Sequence, residues 1–288
     1  MKDILATGLL FPEGPAILSD GTVLCSEQGA SQITIAEGEG GKVYAKTGGS
    51  PNAAIVGLND IVYATQNGGA VGGWRSEKNV SPSIQKIDKE RNVEEICLSS
   101  SDGNLKAPND LVFAKDGSLW FTDSGQAFDF EKMVEHSRII SLSPNREAKT
   151  ILDTGPVYNN GITVDNENSI WWAETVPLAM CKLVDGKRKE ICILPENHFP
   201  DGFVAAKDGR IFIATTYGHN ITIISPDGKI DGFIELDEEA IPTNCIFDGS
   251  DLIISDFGTG WEKNEKSGRI WRVSTDAEGH DRFLGEIV

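Results

Sequence analysis

The chain has 288 residues and a formal net charge of −18, from 44 acidic and 26 basic side chains. Such a surface repels phosphate backbones and anionic lipids, so composition argues against nucleic acid or a membrane as a partner. No stretch reaches the about 18 consecutive apolar residues of a membrane span, and the N-terminal segment lacks a cleavage signal. We therefore expect a globular, cytoplasmic protein.

The cysteines are odd in number and include no C-x-x-C pair. Most of them stand inside apolar runs with strand character, where a thiol behaves as a small buried hydrophobe. We expect free thiols in a reducing compartment rather than a disulfide framework. The five positions are Cys25, Cys97, Cys181, Cys192 and Cys245.

A strand–turn–strand pattern repeats along the whole chain. In each copy an apolar run is followed by Asp-Gly or an Asn/Asp pair and then by a second apolar run, which is the strongest short-range signal of a hairpin. Further strand-like pieces follow the hairpins, for example at 84–87, 139–142, 221–224 and 270–273. The copies begin at Glu13, Ala53, Asn109, Asn160, Asp201 and Asn244.

Four strands in each unit of roughly 40 to 50 residues are typical of a propeller blade. The pattern predicts an all-β fold, a six-bladed β-propeller with four antiparallel strands per blade, as a single domain over residues 1–288. Two longer units contain loop insertions at 68–75 and 126–130, which we expect to shape a binding site. Helical periodicity is confined to 129–134. We expect residues 4–10 to complete the last blade beside 282–284.

The first strand of every blade lines the central channel, so equivalent residues of successive repeats face one another across the axis. Glu13, Asn109, Asn160 and Asp201 stand just before these inner strands, and Ala53 and Asn244 take the equivalent places in blades two and six. Two carboxylates and two amide oxygens predict one divalent cation, Ca²⁺ first, with Mg²⁺, Mn²⁺ or Zn²⁺ as alternatives. Taken singly, each residue is also explained as an ordinary turn residue.

Four short motifs carry a resemblance to a known family. At Glu13-Gly14-Pro15, Pro108-Asn109-Asp110, Asn160-Gly161-Ile162 and Pro200-Asp201-Gly202 the chain resembles the SMP-30/gluconolactonase/luciferin-regenerating-enzyme family. The resemblance implies a six-bladed propeller in which these four residues bind one divalent cation. The run Leu119–Asp123 is similar to the gluconolactonase branch, which implies lactone hydrolysis. Relatives that act on sugar lactones often carry a basic residue where this chain has Asn104.

These features together predict a metal-dependent lactonase that opens a small sugar-type or related lactone, with Asp201 as both ligand and catalytic base. Two alternatives stay open: a metal-dependent esterase or phosphotriesterase, and a non-enzymatic calcium-binding scaffold. We expect substrate contacts from residues in the insertions or beside the ligand motifs. They are Trp74, Asn104, Asp123, Tyr158, Asn159 and His198.

Overall fold

The structure is a computed structural model that describes residues 1–125 and 135–288. These residues form six antiparallel sheets of four principal strands, arranged as the blades of a propeller. The predicted architecture is therefore confirmed. The helical pattern at 129–134 and the insertion at 126–130 lie outside the described residues. No helix in the described part of the chain is long and apolar enough to cross a bilayer.

The strands of blades 1 to 5 follow one another in chain order from the channel to the rim. Blade 1 contains Pro12–Ile17, Val23–Glu27, Gln32–Ile35 and Lys42–Lys46, and blade 2 contains Pro51–Val56, Val62–Gln66, Ser83–Ile87 and Val93–Cys97. Blade 3 contains Pro108–Phe113, Leu119–Asp123, Ser137–Leu142 and Ala148–Gly155, and blade 4 contains Asn159–Val164, Ile170–Glu174, Ala179–Val184 and Lys187–Ile193. Blade 5 contains Phe199–Ala205, Ile211–Thr216, Asn220–Ile224 and Ile230–Glu235.

Blade 6 takes three strands from the end of the chain and one from its beginning. Its strands are Pro242–Asp248, Asp251–Asp256, Gly268–Ser274 and Lys2–Leu9, and the short strand Gly38–Glu39 pairs in parallel with the last of these. Small hairpins at Ala70–Val71 with Trp74–Arg75 and at Ser99–Ser100 with Gly103–Asn104 extend from blades 2 and 3. Single 3₁₀ turns span Gln28–Ala30, Leu58–Asp60 and Trp261–Lys263.

The hairpin turns have the backbone conformation that their sequences predict. Gly21, Gly117 and Gly209, the second residues of the Asp-Gly pairs, have φ angles of +85°, +81° and +88°. Glycine adopts this left-handed region without steric cost, so the turn reverses the chain within two residues. The third strands predicted at 84–87, 139–142, 221–224 and 270–273 are likewise confirmed.

The apolar core lies between neighbouring blades. Tyr63 of blade 2 meets Phe113 of blade 3 edge to face at 5.3 Å between ring centroids, and Phe212 of blade 5 meets Phe247 of blade 6 at 5.1 Å. Each contact belongs to a larger buried cluster shared by two adjacent sheets. Every blade is therefore stabilised by both of its neighbours, and the inner strands are held rigidly around the axis.

The ring is closed by the N-terminal strand, as predicted, but its neighbour is a different segment. Ile4 is paired with Trp271 in the antiparallel ladder between Lys2–Leu9 and Gly268–Ser274. The prediction that residues 282–284 lie beside this strand is wrong. Arg282 instead donates from Nη1 to the Ile17 carbonyl at 3.2 Å, because the C-terminal segment crosses the far end of the channel.

Deletion of residues 1–10 is expected to lower the melting temperature by more than about 10 °C. The deletion removes the pairing partner of Gly268–Ser274 and takes Ala6 and Leu9 out of the cluster between blades 6 and 1. Differential scanning calorimetry of the truncated and full chains measures the effect. Asp3→Ala, at an exposed position of the same strand, is the control and keeps the melting temperature. An unchanged curve for the truncated chain would contradict this closure.

Candidate metal centre

Every blade contributes one polar side chain to the base of a cavity at one end of the channel. The cavity is open to solvent. Each contributing residue lies near the start of an inner strand, so the repeat brings all of them to the same height. The four predicted ligands are therefore neighbours in space. The six residues are Glu13, Asn52, Asn109, Asn160, Asp201 and Thr243.

The strand register corrects the sequence alignment in blades 2 and 6. Pro51 pairs with Gln66 as Pro12 pairs with Glu27, so Asn52, and not Ala53, is equivalent to Glu13. Pro242 pairs with Asp256 in the same way, which makes Thr243 the equivalent residue in place of Asn244. The ring thus presents a polar group from every blade, and the prediction that Ala53 and Asn244 take the equivalent places is wrong. All these residues also lie inside the inner strands rather than before them.

Ala53 and Asn244 belong to the next layer of the channel. A Cβ atom built on Gly14 would lie 2.3 Å from the Ala53 Cα, and one built on Gly202 would lie 1.9 Å from the Asn244 Cγ. Gly14 lies against the inner strand of blade 2 and Gly202 against the Asn244 side chain, so a side chain at either position would displace these neighbours. This packed layer is the floor of the cavity.

Asn244 links two carboxylates within that floor. Its Nδ2 donates to Glu13 Oε2 at 3.1 Å and to Asp110 Oδ2 at 3.4 Å, and its Oδ1 accepts from the Cys245 amide at 2.8 Å. The Cys245 contact determines the orientation of the amide group. Asp110 also accepts from the backbone amides of Leu111 and Ile162. Glu13 is therefore held at the base of the cavity from below.

Three acidic side chains share this small volume. Burial raises the pKa of Glu13 well above its ordinary value, and the charges of Asp201 and Asp110 raise it further. Burial and then Asp110 likewise raise the pKa of Asp201, whose carboxyl group also contacts Glu13 and Asn160. The pKa of Asp110 rises to about 6, mainly through burial. Like charges at such short range favour a bound cation or bound protons.

The oxygen atoms at the base fit a hard divalent cation. Asn52 Oδ1 and Asn109 Oδ1 are buried and have no hydrogen-bond partner, which leaves both atoms available to a ligand. Asn160 Nδ2 donates to Thr175 Oγ1 at 3.2 Å. Residues 1–125 and 135–288 contain no group of three or more His, Cys, Asp or Glu side chains placed to hold a metal, so such a site depends on amide oxygens. Amide and carboxylate oxygens suit Ca²⁺, Mg²⁺ or Mn²⁺ better than Zn²⁺.

A pair of residues at the end of the second strand positions the inner strands, and sequence reasoning missed it. Thr122 Oγ1 donates to the Asn160 carbonyl of the next blade at 2.6 Å, and Asp123 Oδ1 accepts from the Ala107 amide at 2.7 Å. Hydroxyl and cap contacts of these kinds recur in other blades. The signal was a repeated dipeptide of Ser or Thr followed by an acid or amide. Its copies are Ser26-Glu27, Thr65-Gln66, Thr122-Asp123 and Ser255-Asp256.

Among the predicted substrate contacts, Tyr158 lines the cavity, whereas the structure places the other five elsewhere. Asn104 is exposed in a hairpin, where its carbonyl accepts from Arg138 at 2.8 Å. Asn159 is fully buried and donates from Nδ2 to Thr154 at 2.8 Å. Proximity in sequence to a ligand is not proximity to the cavity, because successive residues of a strand point in opposite directions.

His198 and Trp74 also lie outside the cavity lining. His198 Nδ1 lies 3.0 Å from Thr222 Oγ1, its ring packs against Phe233, and burial lowers its pKa. Trp74 packs its ring against the edge of Phe11 at 6.0 Å. The predicted insertion at 68–75 still reaches the cavity, through Ala70 and Val71. The apolar part of the remaining wall includes residues that no motif marked, namely Tyr217, Ile241, Phe257 and Trp261.

Asp123 makes structural contacts inside blade 3. Its carboxylate is fully buried, caps the amide that precedes the inner strand of blade 3, and forms an ion pair with the buried Arg138. The Asp123→Ala variant is expected to lose about 3–5 kcal/mol of unfolding free energy, because Arg138 is left without its buried counter-ion. Urea denaturation measures the loss, with Asp102→Ala at an exposed position as the control. A raised KM at unchanged stability would instead indicate a substrate contact.

The fold and the cavity together define a class: six-bladed propellers with an oxygen-lined cavity on the axis. Residues 11–255 match the family model described as the SMP-30/Gluconolactonase/LRE-like region. The chain belongs to this family. It is 23% identical over 285 residues to a gluconolactonase of Zymomonas mobilis, covering 88% of this chain and 78% of that protein. It is also 23% identical over 230 residues to the STRICTOSIDINE SYNTHASE-LIKE 4 protein of Arabidopsis thaliana. That match covers 74% of this chain and 58% of the Arabidopsis protein.

Solved structures share the fold at low identity. A gluconolactonase from Xanthomonas campestris superimposes with a TM-score of 0.74 at 19% identity, covering 95% of this chain and 89% of that one. A calcium-binding regucalcin from Agrobacterium tumefaciens has a TM-score of 0.74 at 14% identity, covering 97% and 94%.

Proposed function

We propose that the protein is a divalent-metal-dependent lactonase, with Ca²⁺ as the preferred ion. One observation carries the proposal: two buried carboxylates and two unpartnered amide oxygens converge at the base of a solvent-accessible cavity. Membership of a family that includes gluconolactonases, and the calcium-binding regucalcin among similar folds, support it.

Glu13, Asn109, Asn160 and Asp201 would hold the ion, and the register adds Asn52 to this set. A divalent cation, when bound, supplies Lewis acidity toward a carbonyl oxygen and stabilises developing negative charge. The protein's part is to keep these oxygens in place. The Asn244 contact below Glu13 and the Thr122 contact to the Asn160 backbone do so.

Asp201 would act as the general base. Its carboxyl group faces the cavity, where a carboxylate can accept a proton from water. It would take the proton of the attacking water and later return it to the alkoxide that leaves when the ring opens. The five cysteines are free thiols, which supports a cytoplasmic location. The N-terminal strand in blade 6 supports one domain over residues 1–288.

The test is a hydrolysis panel with defined metals. The protein is stripped with a chelator, reloaded with Ca²⁺, Mg²⁺, Mn²⁺ or Zn²⁺, and assayed on δ-valerolactone, phenyl acetate and a phosphotriester. We expect metal-dependent lactone hydrolysis that exceeds ester and phosphotriester turnover. A preference for the ester or phosphotriester would change the substrate class. Metal binding without turnover of any member would support a non-enzymatic calcium-binding protein instead.

A further inference from the structure

The wall of the cavity differs chemically from its base. Above the oxygen ring the described lining is largely aromatic and aliphatic, with Val71, Tyr158, Tyr217, Ile241, Phe257 and Trp261. Phe257 contacts both Phe11 and Trp261, with ring centroids 5.7 and 6.0 Å apart. Such a cluster holds its rings in place before a ligand arrives. It offers an apolar surface for a substituent that extends from the base toward solvent.

Within the described lining there is no Lys, Arg or His side chain. The basic groups that sequence places near the ligand motifs are engaged elsewhere: Lys106 with Glu135, and Arg138 with Asp123. An anionic group on the substituent would therefore find no cationic side chain in the described wall. The wall disfavours substrates whose substituent carries a negative charge.

Three polar side chains of the described wall make hydrogen bonds within the protein itself. Ser124 Oγ donates to the Asn159 carbonyl at 2.7 Å, and Thr216 Oγ1 donates to the Phe199 carbonyl at 3.3 Å. Asn67 Nδ2 donates to the Ala70 carbonyl at 3.1 Å, and Asn67 Oδ1 accepts from the Gly69 amide at 3.1 Å. A ring with several hydroxyl groups would lose water contacts here without regaining equivalent ones.

From these three features we infer that the site selects uncharged lactones with an alkyl or aryl substituent over polyhydroxylated sugar lactones. This inference rests on the proposed lactonase function and names its substrate class. The lactone ring lies at the oxygen-lined base, and the substituent packs against Tyr217, Phe257 and Trp261. Each methylene buried there is expected to raise kcat/KM about fourfold.

The test compares δ-lactones that differ in one respect. The metal-loaded protein is assayed on δ-valerolactone, on its analogues with one-, three- and five-carbon chains, and on glucono-δ-lactone. We expect kcat/KM to rise with chain length and the five-carbon compound to exceed gluconolactone by at least about 100-fold. Equal or better turnover of gluconolactone overturns the substrate class and leaves the lactonase function standing.

Variants of two wall residues test whether the dependence of kcat/KM on chain length arises from the cavity wall. Trp261→Ala and Tyr217→Ala are expected to flatten the dependence of kcat/KM on chain length. The control Phe233→Ala, at an aromatic side chain 44% exposed on the outer strand of blade 5, keeps it. An unchanged dependence in both wall variants overturns the inference.

A binding experiment separates recognition of the substituent from hydrolysis of the lactone. Calorimetry with non-hydrolysable δ-lactams is expected to show tighter binding of the pentyl-substituted ring than of the bare ring. This preference supports the substrate class even if no lactone is turned over, a result that would contradict only the hydrolase function. Equal affinities overturn the inference.

Discussion

Asp201→Asn is expected to lower kcat for lactone hydrolysis by about 10²- to 10⁴-fold, the contribution of a positioned general base. Asparagine has a similar shape and retains one oxygen toward the cation, but it cannot accept a proton from water. The fold is expected to persist, because Asp201 lies at the cavity base rather than in an inter-blade cluster. Steady-state kinetics at saturating metal and circular dichroism measure the two effects.

Asp231→Asn is the matched control, since this aspartate is exposed on the outer strand of blade 5. It is expected to retain full activity. The metal affinity of Asp201→Asn should be measured in parallel, by competition with a chelator, to separate loss of the base from loss of the ion. Full activity of the metal-loaded variant would refute the assignment of Asp201 as the base.

Removal of the metal is expected to abolish activity and to make stability fall as pH rises. The folded-state pKa values of Glu13, Asp201 and Asp110 are raised, that of Asp110 to about 6. A carboxyl group with a raised folded pKa contributes stability that is fully present below its unfolded pKa of about 4 and is lost as pH rises through the folded value. In the metal-free protein this loss begins near pH 4 and extends through pH 6. A bound cation offsets the same charges.

Melting temperatures of chelator-treated protein across this pH range measure the effect, with and without added Ca²⁺. Other carboxylates titrate in the same pH range, so the informative quantity is the difference in melting temperature between the wild type and Asp201→Asn. Metal-free Asp201→Asn is expected to melt at a higher temperature than the metal-free wild type at neutral pH, because one buried charge is gone. A lower melting temperature for the metal-free variant, or no effect of chelator on the wild type, would contradict a cation site here.

Sequence reasoning identified the four ring members whose motifs are distinctive and misaligned the two blades whose motifs are not. In blades 2 and 6, Asn52-Ala53 and Thr243-Asn244 each offer two candidates one residue apart. A shift of one residue turns a strand side chain to the opposite face. This small error therefore moved the assignment from the ring of residues that line the cavity to the packed layer beneath them. The pairing of Pro51 with Gln66 and of Pro242 with Asp256 resolved it.

The predicted substrate contacts show a second limit of prediction from local sequence patterns. Asp123 stands beside a ligand motif in a conspicuous run, yet it caps a backbone amide inside blade 3. Trp261 and Tyr217 carry no motif and come from connections in other blades, yet both line the cavity. Which loop side chains reach the axis depends on the three-dimensional course of each loop, and that course is not encoded in a local pattern.

The sequence by itself determined the number of blades, the number of strands in each blade and the convergence of Glu13, Asn109, Asn160 and Asp201. These follow from turn chemistry and from a repeat that places equivalent residues around one axis, both of which are local properties. Only the tertiary structure decided the register in blades 2 and 6, the partner of the closing strand and the composition of the cavity wall. These depend on contacts between segments far apart in the chain, where packing between blades selects one arrangement among several that the local pattern allows.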